Sequence, residues 1–168
     1  DVERLAAAHR QADERTMLTG MLDWYREGVL LKCTGLTTAG ARRTPVRSGT
    51  TFAGVLKHLA LVEDAWFTQR FAGLPTPDPW VGIDWDADPD WDWHSAAEDS
   101  PDELFTHWRS TVDRCRALVD KAATEGGLGQ LSQRSWPDGR SPSLRWILVH
   151  LIEEYARHNG HADLIRES

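Results

Sequence analysis

Leu144–Glu167, LRWILVHLIEEYARHNGHADLIRE, is the stretch that decides how this chain is read. It reads as one helix in which His150, Glu154, His158 and His161 follow one another at spacings of four, four and three residues. At about 100° per residue these side chains share a stripe roughly 80° wide. Four groups able to bind a metal or move a proton, stacked on one face of an otherwise apolar helix, are unusual. Two ligands one turn apart on a helix converge on a common point and can hold two corners of a metal site.

Helical periodicity also dominates upstream, and no run of alternating apolar and polar β-branched residues competes with it. A first helix is expected from about Ala12 to Lys32, with Met17, Met21, Trp24, Val29 and Leu30 apolar and Gly35 where a C-terminal stop belongs. Thr37 or Thr38 can cap a short helix before Pro45. Ser48, Gly49, Thr50 and Thr51 offer N-caps for a second long helix, which carries Val55, Leu56, Leu59, Val62, Trp66 and Phe67 and runs to about Phe71. Gly73, Pro75, Pro77 and Pro79 end it.

From Leu74 to Ser100 runs an acidic connection with Trp80, Trp85, Trp91 and Trp93 and no Lys or Arg. Ser100-Pro101-Asp102-Glu103 then predicts a third helix, with Ser at the N-cap, Pro at the first helical position and Glu in the capping-box place. That helix proceeds to about Ala123, and Gly126, Gly127 and Gly129 break it. Ser141-Pro142 repeats the Ser-Pro start for the fourth helix. Four long helices with unequal loops predict an all-α four-helix bundle, residues 1–168 as a single domain, with one long acidic Trp-rich crossover.

The chain of 168 residues is long enough to bury a core without disulfides. Its net charge of −7, from 26 acidic and 19 basic residues, argues against nucleic acid as a partner and suits a small-molecule substrate. Cys33 and Cys115 follow no CxxC spacing and read as buried free thiols of a reducing compartment. No apolar run reaches bilayer length and no signal-peptide h-region is read, so no membrane partner and a cytoplasmic location are expected. A bundle with apolar outer faces also admits a homodimer.

His58 lies mid-helix on a face with Val55 and Val62, where a buried imidazole needs a partner. The stripe on the last helix can provide one, directly or through a metal. His58, Glu154 and His158 then form a two-His, one-carboxylate set from two facing helices, suited to Zn²⁺, Ni²⁺, Fe²⁺ or Mn²⁺ with room for water or substrate. A His158/His161 pair, three residues apart, competes with that choice. His150 and His161 can instead orient ligands or handle protons.

Leu22-Asp23-Trp24, then Lys57-His58-Leu59 with Glu63 and Trp66-Phe67 behind it, and the whole of LRWILVHLIEEYARHNGHADLIRE resemble the DinB superfamily, most closely an actinobacterial branch without assigned function. The resemblance spans nearly the whole chain. It implies a four-helix bundle whose divalent metal is held by a His of the second helix and two ligands one turn apart on the last. His158-Asn159-Gly160 matches the second of that pair, whose usual successor is Arg-Gly. Glu154 stands where many members have His, as it does in the related mycothiol-dependent maleylpyruvate isomerase, so the metal set implied is His58, Glu154 and His158, with zinc foremost.

The superfamily includes S-transferases that use mycothiol or bacillithiol, and an isomerase using the same kind of thiol. The resemblance therefore implies a thiol S-transferase or isomerase acting on a small electrophile, with mycothiol as co-substrate. An open metal site can hold a thiol as thiolate at neutral pH, or lower the pKa of a bound water and support hydrolysis. His161 and His150 are the candidates for proton transfer, because imidazole titrates near working pH. Arg157, about 20° off the stripe, could face an anionic substrate or cofactor, although pairing with Glu153 or Glu154 at the surface is the simpler expectation. The Trp-rich connection either lines the cleft above the metal or, as favoured here, packs along the bundle with its aspartates solvated. Asp84-Trp85-Asp86-Ala87-Asp88 imitates the start of a calcium loop, but Pro89 and Ser95 occupy the places of the required Gly and Glu. The contrasting class is a non-catalytic binding or stress protein braced by a closed metal site.

Overall fold

The computed structural model describes residues 11–43 and 49–167. Four long helices form the bundle: α1 (Glu14–Cys33), α3 (Phe52–Glu63) continued by a π-helical segment (Asp64–Phe71), α5 (Pro101–Glu125) and α6 (Leu144–Glu167). Two short helices, α2 (Thr38–Ala41) and α4 (Trp91–Ser95), lie in the connections. Among the described residues there is no strand, only an isolated bridge between Leu131 and Ser143.

Five of the six helices, all but α4, begin where a side chain satisfies an open N–H group of the first turn. Asp13 caps α1, Thr37 caps α2 and Thr51 caps α3. Ser48, another cap candidate, and Pro45 lie outside the described residues. Ser100 and Glu103 close the expected capping box on α5. The last helix, α6, covers the stretch Leu144–Glu167 read as one helix, so the expected Ser141-Pro142 start falls two residues upstream of it. Ser143 Oγ accepts from Trp146 N–H at 3.2 Å, while the Pro142 carbonyl accepts from Ser132 N–H at 2.9 Å. Pro142 is thus used to tie down the preceding loop. Gly35, just past the end of α1, has φ +75°, a conformation that favours glycine.

Pairings between side chains fix the directions. Glu14–Arg145 and Lys32–Asp163 join the starts and the ends of α1 and α6, so these two helices run parallel. Arg15–Asp120 and Asp23–Arg116 make α5 antiparallel to α1. Contacts of His58 with His158 and of Trp66 with His150 make α3 antiparallel to α6. Helices α3 and α5 are therefore parallel, and residues 72–100 are the single long crossover that parallel neighbours require.

The interior is apolar, with Val29, Val55, Leu59, Phe67, Leu148 and Leu151 fully buried. Each such side chain contributes about 1.5–3 kcal/mol on leaving water. Running through this core is a buried polar network. Arg26 donates to both oxygens of Glu63 at 2.8 Å, Tyr155 donates to Glu63 Oε1 at 2.8 Å, and Trp108 Nε1 donates to the Tyr155 hydroxyl at 3.0 Å. Every member has a partner, which such a network needs to be tolerated in a core. Its effect is to lock α1, α3, α5 and α6 to one another just behind the His/Glu stripe.

The last eight residues of the second long helix depart from the expected α geometry. They open into i→i+5 turns that end with Ala72 N–H donating to the Phe67 carbonyl at 3.0 Å. Asp64, fully buried at the start of this segment, accepts from Trp80 Nε1 at 3.0 Å, from Thr68 at 2.9 Å and from Arg114 at 2.7 Å. That cluster pins Trp80, and with it the crossover, against the bundle. The crossover is packed, as expected, but its aspartates are not all solvated: Asp92 is 2% exposed.

Candidate metal centre

His58 projects from the middle of α3 toward the stripe on α6. One donor atom from each of His58, Glu154 and His158 lies within 4.8 Å of the other two. Glu154 Oε2 is 3.6 Å from His158 Nε2, and the rings of His58 and His158 are 4.9 Å apart. Ligand atoms on a tetrahedral zinc with bonds near 2.0–2.1 Å stand about 3.3 Å apart, so a small inward movement suffices. Two imidazoles and one carboxylate are a donor set for a borderline divalent cation, with a coordination position left over. The residues fit such an ion.

The crossover contributes a partner that sequence reasoning missed. Asp92 Oδ2 lies 2.7 Å from His58 Nδ1, and the carboxylate is buried. With the proton on Nδ1, His58 donates to Asp92 and its Nε2 lone pair is left for the centre, a carboxylate–histidine arrangement typical of metal ligands. Trp93, the next residue, stacks on His58 at 4.8 Å and 27° and leans on His158 at 5.7 Å. It can lie so close to α3 because residue 54 is glycine: a Cβ there would stand 2.4 Å from Trp93 Cε3. The clue, in hindsight, is an aspartate set between two tryptophans in Trp91-Asp92-Trp93, but no periodicity connects position 92 with position 58.

Burial, and then the neighbouring His58, His161 and Arg157, hold His158 down to a pKa of about 3. Its ring is therefore neutral, the form a metal ligand needs. His161 is half-buried, with Nδ1 3.3 Å from His158 Nδ1. His150 sits one turn away on the other side of Glu154, its Nε2 3.9 Å from Glu154 Oε1. Trp146 stacks on the His150 ring at 5.1 Å and Trp66 meets it edge-on at 4.6 Å. Arg157 is on the exposed flank, donating to Glu153 and, at 3.4 Å, to Glu154 Oε1. The structure thus brings His58, Glu154 and His158 to one point, sets His161 and His150 on either side, and leaves Arg157 at the surface.

A cavity of about 820 Å³ opens beside the centre. His58 is the donor that lines it, together with Asp92, Trp93 and the rings of Trp80 and Trp85. The crossover is therefore both packed on the bundle and part of the cavity wall. Neither cysteine serves as a nucleophile here. Cys33 is fully buried with its thiol pKa pushed up to about 12 by desolvation. Burial, with the Glu63 and Asp64 carboxylates nearby, also raises that of Cys115.

Among the described residues no helix is long and apolar enough to cross a membrane. The family model for mycothiol S-transferases matches residues 17–168. No curated protein matches the chain.

Proposed function

The chain belongs to the mycothiol S-transferase family, a DinB-like family, and on that premise we propose that it joins the sulfur of a mycothiol-type thiol to a small electrophile at a divalent-metal centre held by His58, Glu154 and His158. The observation that carries this reading is the convergence of those three donors, from two helices, at the edge of a cavity of about 820 Å³. Zinc is the first choice of ion for two imidazoles and a carboxylate. The cytoplasm is the compartment this reading assigns.

A cation bound there supplies positive charge that favours the thiolate form of a thiol at neutral pH. The chain's residues prepare that chemistry. Asp92 fixes the tautomer and angle of His58, and burial keeps His158 unprotonated. His150, wedged between two tryptophans, stands 3.9 Å from the Glu154 carboxylate as a second base beside the centre. His161, adjacent to His158 and partly open to solvent, takes the proton that the thiol releases. The sulfur–carbon bond then forms as the leaving group departs from the electrophile with its electron pair. Trp80, Trp85 and Trp93 keep bulk water away from the reacting atoms.

Elemental analysis of protein purified without a metal-binding tag, paired with thiol consumption, tests the reading. About one divalent ion per chain and metal-dependent loss of mycothiol with an added electrophile are expected. His58→Ala and His158→Ala each abolish both signals, while Glu154→Gln weakens metal binding. Full occupancy in His58→Ala would sink the assignment.

A further inference from the structure

The chemistry of the cavity wall narrows what it can hold. Leu61, Val81, Ile83 and the rings of Trp80, Trp85 and Trp93 give it apolar sides. The two charged residues that line it, Asp90 and Asp92, are both acidic. The crossover that forms most of the wall holds no Lys or Arg between Leu74 and Ser100 that could turn inward. No Lys or Arg side chain lines the cavity to offset the charge of an anion. A carboxylate entering this space loses hydration and gains no counter-charge.

The wall is also shaped in advance. Trp80, 2% exposed and tied to Asp64, backs the wall, while the partly exposed Trp85, held edge-on to Trp91 at 6.2 Å, offers a flat apolar surface to a ring. At the same wall Gln69 Oε1 accepts from Thr76 at 3.1 Å, which directs the Gln69 amide NH₂ as a donor. Resting on the proposed function for its chemistry, though not for its binding, we propose that this cavity takes the electrophile. The electrophile is an uncharged, largely aromatic molecule with an acceptor atom for Gln69, and carboxylated electrophiles are refused. With an activated aryl halide, the thiolate sulfur attacks the ring carbon and the C–S bond forms. The C–halogen bond breaks, halide leaves with the electron pair, and the thiol proton passes to buffer.

Two unreactive probes of nearly equal size separate charge from shape: 1,3-dinitrobenzene and 3,5-dinitrobenzoate. Their binding to the full chain is measured by calorimetry at pH 7.5, with and without zinc. The neutral probe is expected to bind about tenfold or more tighter than the carboxylate. Trp85→Ala should weaken the neutral probe several-fold, and Ile83→Lys should narrow or invert the ratio, with circular dichroism confirming that both variants fold. Equal or tighter binding of the carboxylate, no binding of either probe, or a ratio unmoved by Ile83→Lys overturns the proposal. Reaction with 1-chloro-2,4-dinitrobenzene and mycothiol is a separate arm. A chain that binds the neutral ring but consumes no thiol refutes the proposed function and leaves the cavity's selectivity standing.

Discussion

Replacing Asp92 tests the link between the crossover and the centre most directly. The carboxylate is 3% exposed and lies 2.7 Å from His58 Nδ1, so it acts on the ring with little screening by water. Partners of this kind typically change metal affinity by about 10- to 100-fold, or roughly 1.4–2.7 kcal/mol. Asp92→Asn keeps an oxygen that can accept from Nδ1 but removes the charge, so a loss of about tenfold is expected. Asp92→Ala removes the acceptor altogether and frees the His58 ring to rotate, which should bring the loss to about 100-fold. Competition against a fluorescent zinc chelator at fixed pH reads both values, with thermal unfolding of the metal-free proteins as the control for the fold. If both variants bind zinc within about twofold of the parent while remaining folded, Asp92 does not orient a ligand and the assignment of His58 loses its support.

Tyr155→Phe removes a hydroxyl bonded to both Glu63 and Trp108, and should cost about 2 kcal/mol, a fall in Tm of roughly 4–8 °C by calorimetry. Gly54→Ala places a methyl group 2.4 Å from the Trp93 ring and should destabilise by about 1–3 kcal/mol in urea unfolding. Most of that loss should vanish when the change is made in a Trp93→Ala background, because the clash has then been removed. His94, beside Asp88 at 3.0 Å, should titrate above 6.5 by NMR, and Asp88→Asn should bring it back. Because the folded chain holds that proton more tightly, the pair's small contribution is complete below pH 6.5 and lost as pH rises through the raised value.

Much of the architecture was legible because it depends on local rules. The caps at Thr51 and Ser100, the stop at Gly35 and the spacing of the last helix express hydrogen bonding and periodicity within a few residues. The stretch Leu144–Glu167 was legible as a helix, but Ser141-Pro142, which obeys the same local rule as Ser100-Pro101, is not its start, because the Pro142 carbonyl pairs with Ser132 instead. The widening of Asp64–Phe71 into π turns was equally hidden, since the same letters fit an α-helix.

The sequence by itself determined an all-α chain with a stripe of His150, Glu154, His158 and His161, because a helix converts spacing directly into direction. It also identified His58 as a group in need of a partner. Only the tertiary structure decided that His58 meets Glu154 and His158, since that depends on the relative rotation and depth of two helices whose facing residues lie 96 and 100 positions apart in the chain. The sequence offered both roles of the crossover, packing on the bundle and lining the cleft, but none of its particular contacts. Asp92 reaches His58 and Trp80 reaches Asp64 across 34 and 16 positions that include the irregular connection after Phe71, where no period relates one position to another. Burial then gives these side chains their chemistry: it holds the His158 imidazole neutral and withdraws both cysteines from reaction.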